Sequence, residues 1–290
     1  MSATRNSFVV GVDASPESNE ALDWTRAVAQ ADDTIVVVHA WEVPLVTGYD
    51  MVVTIDPSEI ERLSLQGLTE MLGKIDDDRF VPVTHQGHAG RALVSQADDH
   101  DAAAIVLGHR GNSRVAMMLG STANYVLHHT RRPVVVVRGD HAAMPRRVVV
   151  GVDDHDLDAE QGAENESTRA VRWAYGLPGV EEIRVVHAWF LPALAVGMFA
   201  TVAAEIDTMD AAAQRVVDRV LESAGPPPAN VKVTGEAVRG TPGFALIEAS
   251  RDVDLVVVGS RGRGGFKGLL LGSTSAEVAS HSHAPVAVIR

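Results

Sequence analysis

Val9-Val10-Gly11-Val12-Asp13, close to the amino terminus, recurs as Val149-Val150-Gly151-Val152-Asp153 in the middle of the chain, and this duplication decides the fold. Working outward, His39-Ala40-Trp41 returns as His187-Ala188-Trp189, and Leu119-Gly120-Ser121-Thr122 returns as Leu271-Gly272-Ser273-Thr274. Arg132-Pro133-Val134 is echoed by Ala284-Pro285-Val286. The order is the same in both halves, while the offset drifts from 140 at Val9 to 152 at Leu119. The halves are therefore duplicates carrying insertions, one domain each, and not a short-period solenoid. Their join falls near residues 139–145, where a polar Gly-Asp-His gives way to Ala-Ala-Met-Pro between two valine-rich runs.

Within the first half, residues 8–12, 34–40, 81–85, 104–107 and 133–138 are β-branched runs too short for buried helices, and they read as strands. Amphipathic segments lie between them. Ser15-Pro16 is an N-cap followed by proline at the first helical position, after which Ala21, Leu22, Thr25 and Val28 line one face. Five strands alternating with helices predict a doubly wound parallel sheet with helices on both faces. A composition 46% apolar but only 4% aromatic fits such a valine-rich interior. Ligands of these sheets sit beyond the carboxyl ends of the strands, where strand order reverses.

Following the fourth strand of the second half, the sequence runs from Gly259 through Gly262 to Gly272-Ser273-Thr274, a spacing of Gly-x2-Gly-x9-Gly-Ser. Glycines permit positive φ and leave space for a ligand, so that successive N–H groups can converge on an anion. Gly272-Ser273-Thr274 opens a helix, whose unpaired donors and positive dipole end attract phosphate, and the Ser273 hydroxyl adds a donor while also serving to cap the helix. Arg261 and Arg263 are in reach of phosphates from this loop. Neither the Gly-x4-Gly-Lys-Ser/Thr of P-loop enzymes nor the Gly-x-Gly-x-x-Gly of dinucleotide folds occurs at the expected turns.

The Val-Val-Gly-Val-Asp strand, the His-Ala-Trp, the glycine loop and the terminal Ala-Pro-Val-Ala-Val together resemble the universal stress protein family in its tandem form, over nearly the whole chain. The resemblance implies two tandem doubly wound five-stranded parallel-sheet domains, Rossmann-like and adenine nucleotide alpha hydrolase-like, at residues 1–140 and 146–290. In the ATP-binding branch of that family, the aspartate ending strand one and the residue after the strand-two histidine hold ribose and adenine, and the glycine loop holds the phosphates. By position these are Asp153, Ala188, Gly259, Gly262, Gly272 and Ser273 in the second half, and Asp13, Ala40, Gly108, Gly111, Gly120 and Ser121 in the first. The implied cofactor is ATP. The implied role is stress response or signalling through nucleotide-dependent conformation or partner binding. Another branch of the family binds no nucleotide and acts as an interaction or assembly module. Slow ATP hydrolysis is a third reading, although no positioned general base or Walker lysine is evident. Family members often pair through the last strand, which implies an intrachain pseudo-dimer and further homodimerisation.

Two departures from the pattern stand out. In the first half only eight residues separate Gly111 from Gly120, one fewer than in the second. Absorbed by the helix, this deletion would rotate its first turn by about 100°; a loop absorbs it by tightening. The first site is therefore expected to bind more weakly or with altered geometry. The second half carries an acidic insertion, residues 154–166, with no basic residue. It reads as a solvated, disordered loop or, if it hangs over a triphosphate, as a segment whose charge calls for a bridging cation such as Mg2+; the sequence fails the calcium-loop pattern at its sixth and twelfth positions.

A net charge of −13 and scattered basic residues exclude nucleic acid as a partner. With no cysteine, disulfides and thiolate metal sites are excluded, and the first eight residues do not form a signal sequence, so a cytoplasmic location is expected. The longest apolar stretch, residues 190–204, is shorter than the roughly 20 residues of a membrane helix and is broken by Pro192 and Gly197. His39 and His187 fall inside strands and read as hydrogen-bonded core histidines.

Overall fold

The computed structural model describes residues 6–43, 56–75, 77–111, 119–139, 143–154, 165–190, 202–261 and 271–290. Gly262, Arg263, most of the acidic insertion and most of the apolar stretch at 190–204 lie outside the described residues. The chain divides into two compact units, Met1–Val137 and Arg138–Arg290.

The first unit runs β1 (Ser7–Gly11), α1 (Pro16–Val28), β2 (Thr34–Trp41), α2 (Pro57–Leu72), β3 (Phe80–Gln86), α3 (Ala89–Asp99), β4 (Ala104–Gly108), α4 (Ser121–His129) and β5 (Val134–Val137). The second repeats this as β6 (Arg147–Gly151), α5 (Glu166–Tyr175), β7 (Glu182–Trp189), α6 (Val202–Ala224), β8 (Lys232–Arg239), α7 (Pro242–Ala249), β9 (Leu255–Gly259), α8 (Ser273–His281) and β10 (Val286–Ile289). Within the first unit the strands follow the order β3-β2-β1-β4-β5, and within the second β8-β7-β6-β9-β10. All the pairs are parallel, as the expected doubly wound sheet requires.

Burial follows strand position. Val9, Val10, Val36, Val37, Ile105 and Val106 in the middle of the first sheet are fully buried, because helices cover both faces. The outer strands β3 and β8 are partly exposed along their length. Helix α1 begins as read: Ser15 accepts the Ser18 N–H, Pro16 follows, and Ala21, Leu22, Thr25 and Val28 are buried. Among the described residues no helix is long and apolar enough to cross a membrane.

The strand order reverses between β1 and β4 in the first unit and between β6 and β9 in the second. Helices leave on opposite sides there, so a crevice opens beyond Gly11 and Gly108, and again beyond Gly151 and Gly259.

Candidate functional site

A cavity occupies each crevice, about 550 Å³ in the second unit and about 240 Å³ in the first. The second-unit cavity gathers Asp153, Ala188, Gly259, Arg261, Gly272, Ser273 and Thr274 from four separate elements and their turns. The first-unit cavity gathers Asp13, Gly108, Gly111, Gly120 and Ser121, but not Ala40. Ala40 stays on β2 opposite His85 of β3, while the smaller cavity stops at β1, β4, α3 and the start of α4.

The two loops are pinned alike at both ends. In the second unit the Ser260 N–H donates to the Ile289 carbonyl and the Gly272 N–H donates to the Ser260 carbonyl, each at 2.7 Å. In the first, His109 donates to Val137 at 2.8 Å and Gly120 donates to His109 at 2.9 Å. Helices α4 and α8 each start on a glycine N-cap of extended conformation and each run for nine residues. The missing residue is therefore taken up by the loop between the pins, and neither helix is rotated.

Those glycine caps correct one expectation. Ser273 and Ser121 are the first helical residues, not the caps, and neither helix start has a side-chain cap hydrogen bond. Helices α1, α2, α3 and α5 are by contrast capped by Ser15, Asp56, His88 and Asn165. A helix start without a side-chain cap, facing a cavity, turns its amide donors and dipole towards whatever enters.

The loop glycines also serve for a different reason from the expected one. None of Gly108, Gly111, Gly120, Gly259 and Gly272 has positive φ. Close approach is what requires glycine at 108, where a Cβ would sit 2.6 Å from the Glu17 carbonyl oxygen, and a Cβ at Gly111 would displace the Asp13 carboxylate. Asp13 thus leans over the loop in the first unit, where its Oδ1 accepts the Ser15 N–H at 3.1 Å and the Ser15 hydroxyl at 2.5 Å. The tight turn there is made by Ala14 at φ 63°, a conformation that non-glycine residues seldom adopt.

Several contacts that the sequence does not announce hold the second cavity together. The Asp153 N–H donates to the Ser167 hydroxyl at 3.0 Å, and Ser167 donates back to the Asp153 carbonyl at 3.1 Å. The buried Ser275 hydroxyl donates to the Gly259 carbonyl at 2.6 Å, tying strand β9 to helix α8. Ala123 takes the matching place in the first unit. Most conspicuous is Glu166, at the first position of α5. Its carboxylate accepts the Ser260 hydroxyl at 2.9 Å, the Arg261 N–H at 2.8 Å and the Arg261 Nε at 3.0 Å. Arg261 borders the cavity, yet its guanidinium is committed to Glu166. Burial pushes the Arg290 guanidinium down from its ordinary value, which the Glu166 carboxylate opposes and the Arg261 charge reinforces.

His187 Nδ1 lies 2.9 Å from the Val152 carbonyl and His39 Nδ1 lies 3.0 Å from that of Val12. Both histidines are hydrogen-bonded as expected, but His187 also lines its cavity, which the sequence reading did not anticipate. Among the described residues no group of three or more His, Asp or Glu is placed to hold a metal ion.

A volume of 550 Å³ falls within the range of about 300–1,000 Å³ usual for small-molecule pockets, whereas 240 Å³ falls below it. The second cavity has a mixed lining: Trp189, Phe190, Pro242 and Leu246 give it apolar surface, and Gly259, Gly272, Ser273 and Thr274 bring amides and hydroxyls. Such a lining offers partners both to apolar and to anionic groups of a small molecule.

The fold and the paired crevices define a tandem α/β protein of the doubly wound, Rossmann-like class. The chain belongs to the universal stress protein family, whose sequence profile matches residues 4–138 and again 144–290. It is 29% identical to a universal stress protein of Mycolicibacterium smegmatis over 305 aligned positions, covering 100% of this chain and 98% of that one. A crystallised universal stress protein from Archaeoglobus fulgidus superposes with a TM-score of 0.65 at 20% identity, covering 99% of both chains. Another universal stress protein, solved in complex with cAMP, is 25% identical over a match covering 51% of this chain and 98% of its own, with a TM-score of 0.32.

Proposed function

We propose that this universal stress protein binds ATP in its second unit and works in stress response or signalling through nucleotide-dependent conformation or partner binding. The observation that carries the reading is the start of α8. It is a helix N-terminus with a glycine cap and no side-chain cap hydrogen bond, on a cavity of about 550 Å³ that Trp189, Phe190 and Leu246 also line. Ser273 and Thr274 receive the phosphates together with the loop that includes Gly262 and Arg263. Asp153 serves the ribose, Ala188 lies beside the adenine, and Mg2+ accompanies the triphosphate.

The first unit favours the second reading, that of a module without nucleotide. Its cavity is less than half the volume, and the Asp13 carboxylate lies against the loop at Gly111, so a phosphate would meet a negative charge.

Isothermal calorimetry of the full chain with ATP and Mg2+ is expected to give one site per chain, and adenine nucleotide is expected in the supernatant of freshly purified, denatured protein. The absence of both heat and released nucleotide would overturn the reading, and two equivalent sites would overturn the division between the units.

A further inference from the structure

Trp41 and Trp189 end matching strands in the two units, but their surroundings differ. Trp41 is 8% exposed, lies off its unit's cavity, and its indole Nε1 has no hydrogen-bond partner among the described residues. Trp189 forms part of its cavity wall. The cause can be read from its neighbours. Its Nε1 donates to Asp210 Oδ1 on α6 at 3.1 Å, and the Arg239 guanidinium, paired with the same carboxylate, stands 5.9 Å above the ring centroid. Arg239 is the β8 residue in register with Trp189, and the corresponding partner of Trp41 is Gln86, which carries no charge to place over a ring. A hydrogen bond at the ring edge and a cation near one face fix the indole, and the rest of it is left to the cavity.

We infer that Trp189 is the platform on which the purine base stacks in the second unit, with Asp210 and Arg239 as the residues that position it. This deepens the nucleotide reading above and rests on it. Trp189, Phe190 and Pro242 bring apolar surface to the same cavity that Ser273 and Thr274 of α8 line, so the base and the phosphates of one ligand both find partners there. Stacking on an aromatic side chain is tolerant of base identity. The site therefore selects for the presence of a base, and selection among bases is left to polar groups such as His187.

The test compares ATP with inorganic triphosphate on the full chain by calorimetry, using Trp189→Ala, Trp189→Phe and Asp210→Asn. Trp189→Ala is expected to weaken ATP by about 5- to 150-fold, the span found for loss of one base–aromatic stack, and to leave inorganic triphosphate unchanged. Trp189→Phe should restore most of the loss, and Asp210→Asn should cost less than Trp189→Ala. Equal affinity of Trp189→Ala and the parent for ATP overturns the inference, and so does a loss of inorganic triphosphate by the same factor, which marks a merely structural role. Should Trp189→Ala melt early, the Phe variant decides: full ATP affinity supports stacking, and a loss as large as a collapsed site overturns it. A parent that takes up no ATP brings down the nucleotide reading and this inference together, whereas a parent that binds ATP with no dependence on residue 189 brings down this inference alone.

Discussion

The two units share strand order, loop pins and glycine-capped site helices, yet one encloses more than twice the volume of the other. The difference lies in side chains at the cavities, together with a loop one residue shorter in the first unit and an insertion after Asp153 in the second. Trp189 is drawn to its cavity by Asp210 and Arg239, while Trp41 is buried. Ser275 ties β9 to α8, where the first unit has Ala123. Asp13 leans on the loop beneath a turn made by Ala14, whereas a long acidic insertion follows Asp153. Duplication kept the amide-lined cradle twice. The two copies differ at its rim, at Trp189 against the buried Trp41 and at Ser275 against Ala123.

The sharpest way to break this comparison is to place a negative charge in each cradle. Ser273→Asp puts a carboxylate on the first turn of α8, where the helix dipole tolerates or favours it, so thermal stability should hold. ATP affinity should fall by about 3 kcal/mol, near 150-fold, because like charges in one site cost several kcal/mol. Ser121→Asp should leave ATP binding by the full chain unchanged, and a comparable loss from both variants in calorimetry would place nucleotide in both units.

Next in size is Gly111→Ala. Its Cβ would collide with the Asp13 carboxylate, and overpacking of this kind costs about 1–3 kcal/mol, read as a lowered midpoint in urea with ATP affinity untouched. A variant as stable as the parent would mean that Asp13 has room to move, and that the first cavity is open after all.

Glu166→Gln is the gentlest change. It keeps an acceptor for the Arg261 N–H but removes the charge that holds the guanidinium, releasing Arg261 towards phosphate. ATP binding should tighten by about 1 kcal/mol, roughly fivefold, the scale of a partly exposed ion pair. Weaker binding would show instead that the Glu166 contacts are what keep the loop in shape.

The fold was legible because its determinants are local. Valine runs such as residues 9–10, 148–150 and 255–258 are buried on both faces and could belong to little else than interior parallel strands. The repeated Gly-Ser-Thr announced the site helices, and Asp153, Ala188 and Ser273 fall on one cavity because Asp153 follows β6, Ser273 opens α8 at the switch point, and Ala188 lies near the carboxyl end of the adjoining strand β7. What escaped the reading depends on partners distant in sequence. Glu166 meets Arg261 across 95 residues, and Trp189 finds Asp210 on the next helix. No spacing rule distinguishes these from ordinary surface carboxylates. Ala40 matches Ala188 in sequence, yet the cavity of the first unit ends short of β2. Ser273 was mistaken for a cap because serine so often is one, whereas the extended backbone of Gly272 takes that position.

Starting α8 on glycine has a further consequence. A helix capped by glycine forgoes only about a few tenths of a kcal/mol that serine or aspartate there would contribute, and an anion seated on those amides more than returns it. Ligand and secondary structure then become parts of one folding unit. The second domain, loosest when empty, would gain stability with the logarithm of the surrounding pool of whatever it binds, so that its own melting acts as a gauge of supply.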